Sequence, residues 1–463
     1  MFVNPIFGAA ILGALVLVYL GRCYSSPLWN IPGPALSKVT SFVLRWHEFG
    51  ANRTLYIHSL HLKYGPVVRI APNEVSFTSY EAIKEVYGSL GSGYDKHNFY
   101  DLFRVFGRRT MFSTLMKGDH AKRKRILADR YANSNVMKPM VLSGIEKRAE
   151  DFVKQCIDTA KNTVDVYVIT ESAHPENYPS DLSLTYRLIQ HHYPVFYQYF
   201  CKLLDLFFDP RTTPLAKDFV LGATSRIDPA NFTLLSRLQD KTESGSSINQ
   251  LDNIDVAAEC MDHMVAGIDT TGDSLCFLMW ELSQPASLDI QRKLQREIQD
   301  NPDISFHRLS FLDAVVQEGL RCYPAIPMSL PRVAPPGGKT IDDFFIPEGT
   351  IVSSQAYSVH RHNYEVFPDP DVFNPERWMS PIGEPARKRH MFAFSHGGRG
   401  CVGKHLALAE MKVLLHAVYG RYCTVPDPAA PPESMRSHDQ IISARPYGQQ
   451  CLLRFIPLPE SKA

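Results

Sequence analysis

The apolar positions of this chain change their period several times, and each change marks an element. Ile6 to Leu20 is an uninterrupted, uncharged apolar run. With the five uncharged residues before it, the run amounts to about twenty residues, enough for a helix to cross a hydrocarbon core of about 30 Å. A membrane anchor is therefore expected over residues 1–21. No Lys or Arg precedes the run and no small-x-small cleavage site follows it before Gly21-Arg22-Cys23, which favours an anchor over a cleaved leader. Arg22, Lys38 and Arg45 come after it, and positive charge on that side keeps the bulk of the chain in the cytosol. Residues 22–34 contain Pro27, Pro32 and Pro34, which fix φ and extend the residues before them, so a stiff hinge is expected there, holding the rest of the chain off the membrane.

Further on, two periods alternate. Val67 to Ala71 and Val75 to Phe77, separated by Pro72-Asn73-Glu74, predict a β-hairpin. Thr350 to Ala356 predicts a strand, and Ile441 to Ala444 with Cys451 to Ile456 predict a last hairpin around Pro446-Tyr447-Gly448. Three segments instead repeat apolar residues every three or four positions. The first runs from Asn253 to Leu282 through Val256, Cys260, Met264, Ile268, Leu275 and Leu278. At 1.5 Å per residue it would be about 45 Å long, enough to cross a whole domain. The second runs from Phe311 to Arg321, with Ser310 as the expected cap and Pro324 as its limit. The third passes through Leu406, Ala409, Met411, Leu414 and Val418 to Gly420. Together they predict long helices beside a few short strands. Residues 94–116, rich in Gly, aromatic and polar residues, are expected to form a loop over a pocket.

Composition narrows the function. The chain has 463 residues, and 44% hydrophobic and 21% charged residues are ordinary for a globular protein. No linker or internal repeat divides residues 35–463, so one large domain is expected. A formal net charge of +1 gives no sign of a nucleic-acid partner. The nine cysteines include no CxxC pair and no disulfide-like spacing, which argues for a reducing compartment and against a structural zinc site.

One cysteine stands apart. Cys401 lies just before the third helical segment, in Phe394-Ser-His-Gly-Gly-Arg-Gly-Cys-Val-Gly403. A helix N-terminus favours thiolate over thiol. The surrounding glycines let backbone lie against a flat ligand, and Arg399 can pair with an anionic group at its edge. Taken alone, a single cysteine is more often a small buried hydrophobe. Here, however, Phe394, Gly397, Arg399, Cys401 and Gly403 resemble the haem-binding signature of the cytochrome P-450 family. The resemblance implies a mainly α fold with a small β side region, and haem b with its iron held by the Cys401 thiolate.

Other segments resemble the same family in the same order. Ala266-Gly-Ile-Asp-Thr-Thr271 is similar to its oxygen-activation motif, with Asp269 and Thr270 on the acid and alcohol that pass protons to oxygen. Without that resemblance, small residues in a long helix are more often packing devices, although a Thr hydroxyl can compete for backbone carbonyls and open a helix locally. Glu318 and Arg321 share a helix face, and with Arg377 in Asn374-Pro-Glu-Arg-Trp378 they resemble a buried network that fixes the cysteine loop. His120 and Lys124, in a basic run that could equally be a solvated face, resemble a pair that contacts a haem propionate. Arg332 resembles a second propionate ligand.

The family implies a monooxygenase that uses O2 and NADPH-derived electrons, delivered by a membrane-bound NADPH-cytochrome reductase, to oxidise a hydrophobic small molecule. The anchor fits the endoplasmic reticulum membrane, and the motif wording is similar to fungal members that act in secondary-metabolite biosynthesis. Two alternatives stay open: a reductase-independent rearrangement or dehydration on the same scaffold, and a haem-binding protein without turnover. The intact Asp269-Thr270 pair argues against the first, and one departure favours the second: Thr163-Val-Asp-Val-Tyr167 runs directly into Val168-Ile-Thr-Glu171 where family members have a further helical stretch.

Overall fold

The structure, a computed structural model, describes residues 5–88, 93–158, 163–167, 182–204, 214–225, 232–239 and 251–459. Its centre is the helix Asn253–Ser283, which matches the expected segment almost to the residue. Asp252 caps it, its carboxylate accepting the Asp255 N–H at 2.7 Å. The apolar stripe of this helix meets the helices Pro139–Asp158, Ser310–Cys322 and Lys404–Tyr419 in one continuous core. Gly319 is where Ser310–Cys322 presses closest: a Cβ there would lie 2.7 Å from Leu278 Cδ2.

The N-terminus of Ser310–Cys322 differs from expectation. Ser310 makes no capping bond. Glu297 does this work from the preceding helix, its two oxygens accepting the N–H groups of Phe311 at 2.7 Å and Leu312 at 2.8 Å. A carboxylate satisfies two orphan donors and complements the helix dipole, which a hydroxyl cannot match.

The β side region holds a five-stranded sheet in the spatial order Val67–Ala71, Glu74–Phe77, Ile351–Ser353, Arg332–Val333, Asp95–Lys96. Its first pair is the predicted hairpin. The Pro-rich stretch expected to hold the domain away from a membrane lies against this sheet. Leu28 and Ile31 are 2% and 1% exposed within its apolar cluster, and the Arg69 N–H donates to Pro32 O at 2.7 Å.

The predicted last hairpin does not form. Ser437–Asp439 pairs instead with Ala444–Pro446, leaving Ile441 and Ile442 in the turn between. Leu452–Pro457 joins Tyr422–Pro426 on one edge and Val164–Asp165 on the other. Burial decides this: Leu453 and Cys451 are fully buried in the main core, and Ile441 and Ile442 pack with Ile326 and Leu184 elsewhere.

The N-terminal run forms the helix Pro5–Tyr24. Among the described residues no helix is long and apolar enough to cross a membrane. Val168 to Glu171, where the sequence departs from its family, lies outside the described residues.

Candidate functional site

The cysteine loop is a pair of tight turns. Gly397 opens the turn Gly397–Arg399 with φ +63°, a left-handed conformation that favours glycine. The Gly400 N–H then returns to Gly397 O at 3.0 Å and the Cys401 N–H to Phe394 O at 2.9 Å. The chain enters the helix Lys404–Tyr419 three residues later. Phe394, Cys401 and Gly403 all line one cavity of about 930 Å³, so the accessible surface of Cys401 opens onto that cavity. Burial pushes the Cys401 thiol above its ordinary value, and the N–H groups of Gly403 and Lys404 and the Lys124 ammonium only partly offset this. The expectation that the helix N-terminus alone would favour the thiolate is corrected, because desolvation outweighs it. A coordinated cation reverses that balance, since a ligating thiol is deprotonated outright.

Asp269 and Thr270 line the same cavity from the long helix. Thr270 Oγ1 donates to Ala266 O at 2.5 Å. The helix is unbroken there, so the hydroxyl shares the carbonyl without the local opening that the sequence suggested.

A cluster of basic side chains gathers beside the cavity. His120 and Lys124 come from the helix Lys117–Leu127, Arg332 from the sheet and Arg399 from the cysteine loop. His120 is buried, and its imidazole is brought down to about 3 by burial and by Lys96, Arg399, Lys124 and Arg332. Lys124 turns to the loop itself, donating to Gly398 O at 3.0 Å and Gly400 O at 2.6 Å. Arg332 donates to Tyr100 OH at 2.9 Å. Sequence reading missed Lys96, a lone lysine in a two-residue strand. It donates to Phe112 O and lines the cavity, and burial together with Arg332 and Arg399 pulls its ammonium well below the ordinary value.

These side chains fit a group with two carboxylates. Arg399 donates to Leu115 O at 2.9 Å through Nη2, yet its Nε and Nη1 are buried with no hydrogen-bond partner. Like charges gathered in low dielectric cost free energy unless an anion joins them. Haem b matches this site: its carboxylates suit Lys96, His120, Arg332 and Arg399, which line the cavity, and its iron suits the Cys401 sulfur, whereas Lys124 is held by the loop carbonyls.

Behind the loop lies the network expected from Glu318. Its carboxylate accepts Arg321 Nε at 2.8 Å, Arg377 Nε at 3.0 Å, the Asn374 N–H at 2.9 Å and Trp378 Nε1 at 2.8 Å. Burial raises the Glu318 carboxyl, but Arg321 and Arg377 more than offset this and hold it below the ordinary range. Arg321 continues to Pro370 O at 2.6 Å. Sequence reading missed His360, which joins this network to the loop by accepting the Phe392 N–H and facing Arg321 O.

Comparison with known proteins identifies the family. The family model described as Cytochrome P450 matches residues 183–452, more than half of the chain. The chain is 29% identical over 443 residues to the cytochrome P450 monooxygenase tazI of Aspergillus terreus, covering 88% of this chain and 89% of that protein. It is 29% identical over 492 residues to the cytochrome P450 monooxygenase stcB of Emericella nidulans, covering 95% and 91%. A third relative, the cytochrome P450 monooxygenase orf2 of Aspergillus niger, is 27% identical over 489 residues with 97% of each chain covered. With a cysteine loop, a helix bearing an acid and an alcohol, and a buried carboxylate network in one arrangement, the chain belongs to the cytochrome P450 family, as a monooxygenase of the fungal type.

Proposed function

We propose that this protein oxidises a hydrophobic small molecule of secondary metabolism as a haem-thiolate monooxygenase, with electrons from NADPH through a flavoprotein reductase. The observation that carries the reading is that the Cys401 sulfur and the Asp269–Thr270 pair line a single cavity. When bound, haem supplies the one-electron and oxygen chemistry that no side chain offers. The protein's own work is to hold it, to exclude water and to move protons. Cys401 would bind from the loop side, while the cation cluster takes the carboxylates. The Thr270 hydroxyl, resting on Ala266 O, can turn to donate into the cavity, and Asp269 beside it can replenish that proton. Ile326, Ile441 and Ile442 give an apolar wall for the substrate.

The same reading puts the catalytic domain on the cytosolic face of the endoplasmic reticulum membrane. Support comes from the N-terminal helix, whose Leu12, Leu15, Leu17 and Val18 are exposed among the described residues. The reductase would be a partner in the same membrane.

The test is spectroscopic. Reduced, carbon monoxide-treated protein should give the long-wavelength Soret band of a thiolate-ligated haem, and Cys401→Ser should lose it. Wild-type protein without the band, or a variant that keeps it, would overturn the reading. Substrate-dependent NADPH consumption with purified reductase separates a monooxygenase from a rearranging enzyme on the same scaffold.

A further inference from the structure

The cavity has a second charged feature, separate from the cation cluster. Arg445 lies in the strand Ala444–Pro446, just after the turn that carries Ile441 and Ile442. It lines the cavity and is only 8% exposed. Among the described residues its guanidinium makes no hydrogen bond and no ion pair. Other buried arginines differ: Arg321 holds Glu318, Arg361 holds Asp371 and Arg387 donates to Ile382 O. The basic cluster does not account for Arg445 either, because Arg445 is not among the charges that act on Lys96, His120 and Arg399.

A guanidinium cannot shed its proton in a protein, so a buried one calls for an anion. The cavity carboxylates are Asp262, Asp269, Asp273 and Glu410, and none of them forms an ion pair with Arg445. The adjoining turn makes the rest of the surface apolar, through Ile441, Ile442 and the facing Ile326. A ligand that satisfies both parts has an apolar body and one planar anionic end, and a carboxylate matches the guanidinium fork in two parallel bonds.

We propose that Arg445 determines specificity by binding the carboxylate of an apolar carboxylic acid substrate, whose body rests on Ile326, Ile441 and Ile442. This rests on the monooxygenase reading only in taking the occupant to be the substrate. The ester or amide of the same acid lacks the charge and leaves Arg445 as it is in the free protein.

The test uses full-length, haem-loaded protein and calorimetric titration with phenylacetic, cinnamic and decanoic acids, each paired with its methyl ester. At least one acid should bind wild type about tenfold or more tightly than its ester, as expected for a hydrogen-bonded charge pair. Arg445→Gln should bring acid and ester to equal affinity, and Arg445→Lys should keep part of the preference. The carbon monoxide spectrum should be the same in all three proteins. If no acid is preferred over its ester, or if Arg445→Gln weakens both alike, the proposal is overturned even with the spectrum intact. Loss of the spectrum in wild type would count against the haem-thiolate reading instead, and the calorimetric comparison would still decide the role of Arg445.

Discussion

The backbone N–H of Phe392 donates to Nε2 of His360 at 2.8 Å. That bond fixes the tautomer: the proton must sit on Nδ1, which donates to Arg321 O at 3.0 Å. One neutral imidazole thus ties the start of the cysteine loop to the Glu318 network. His360→Phe would leave a buried N–H and a buried carbonyl unsatisfied, at about 1–3 kcal/mol each. We expect a lower urea midpoint by circular dichroism and weaker haem retention. An unchanged midpoint would show that the bridge contributes nothing.

The same residue makes stability depend on pH. Burial brings His360 from 6.5 to about 3, and His61 from 6.5 to about 4. In the unfolded chain these imidazoles take up protons below their ordinary value, whereas the folded protein keeps them neutral. Stability is therefore full above about pH 6.5 and falls as pH drops, by about 1.4 kcal/mol per pH unit for each such group until its folded value is reached. Unfolding free energies from pH 7 to about pH 5 should show this slope, and His61→Gln should flatten it. An equal slope in the variant would rule His61 out as a source.

Glu318 and Glu81 should behave in opposite ways. Glu318 is fully buried and its carboxylate holds two arginines, so Glu318→Gln leaves buried positive charge uncompensated, at about 3–5 kcal/mol. Glu81 pairs with Lys84 on the surface, where both side chains are more than two-thirds exposed, and Glu81→Gln should change stability by less than about 1 kcal/mol. Thermal melts of the two variants make the comparison. Similar losses would mean that the Glu318 network is not an energetic centre of the fold.

Gly319 is a packing site. A Cβ at this position would meet Leu278 Cδ2 at 2.7 Å and Cδ1 at 2.8 Å, so Leu278 has to move or the two helices part. Gly319→Ala should cost about 1–3 kcal/mol through overpacking, despite its better helix propensity. Pairing it with Leu278→Ala should recover part of the loss in a double-mutant cycle. Additive effects would mean the two residues do not meet in solution.

What the sequence revealed and what it hid follow from how far apart the partners lie. The long helix was legible because its apolar period is local, although its cap, Asp252, emerged only from the structure. The cysteine loop was legible because its residues fall within one short motif, and the Glu318 network because each of its two halves, Glu318 with Arg321 and Asn374 to Trp378, is itself a short motif. The partners of Leu452–Pro457 were not, since strand pairing with Val164–Asp165 leaves no local spacing to read. Glu297 capping Phe311, Lys96 facing the cavity and His360 bridging two segments were hidden for the same reason. Each is a single polar residue whose role exists only after the chain folds.

Thr270 offers the sharpest separation of structure from chemistry. Its hydroxyl donates to Ala266 O, a carbonyl within the same helix, so removing it leaves no buried donor stranded and the helix ladder stays intact. Thr270→Ala should therefore melt within about 0.5 kcal/mol of wild type, as substitutions that break no buried interaction do. It should also keep the carbon monoxide spectrum. What it should lose is delivery of protons into the cavity, so with substrate and reductase present, NADPH consumption should continue while hydrogen peroxide replaces most of the oxidised product. Thr270→Ser keeps a hydroxyl and should restore coupling. The measurement is the ratio of peroxide to NADPH consumed across the three proteins. Full coupling in Thr270→Ala would remove the hydroxyl from the proton route and leave that role to Asp269 or to water.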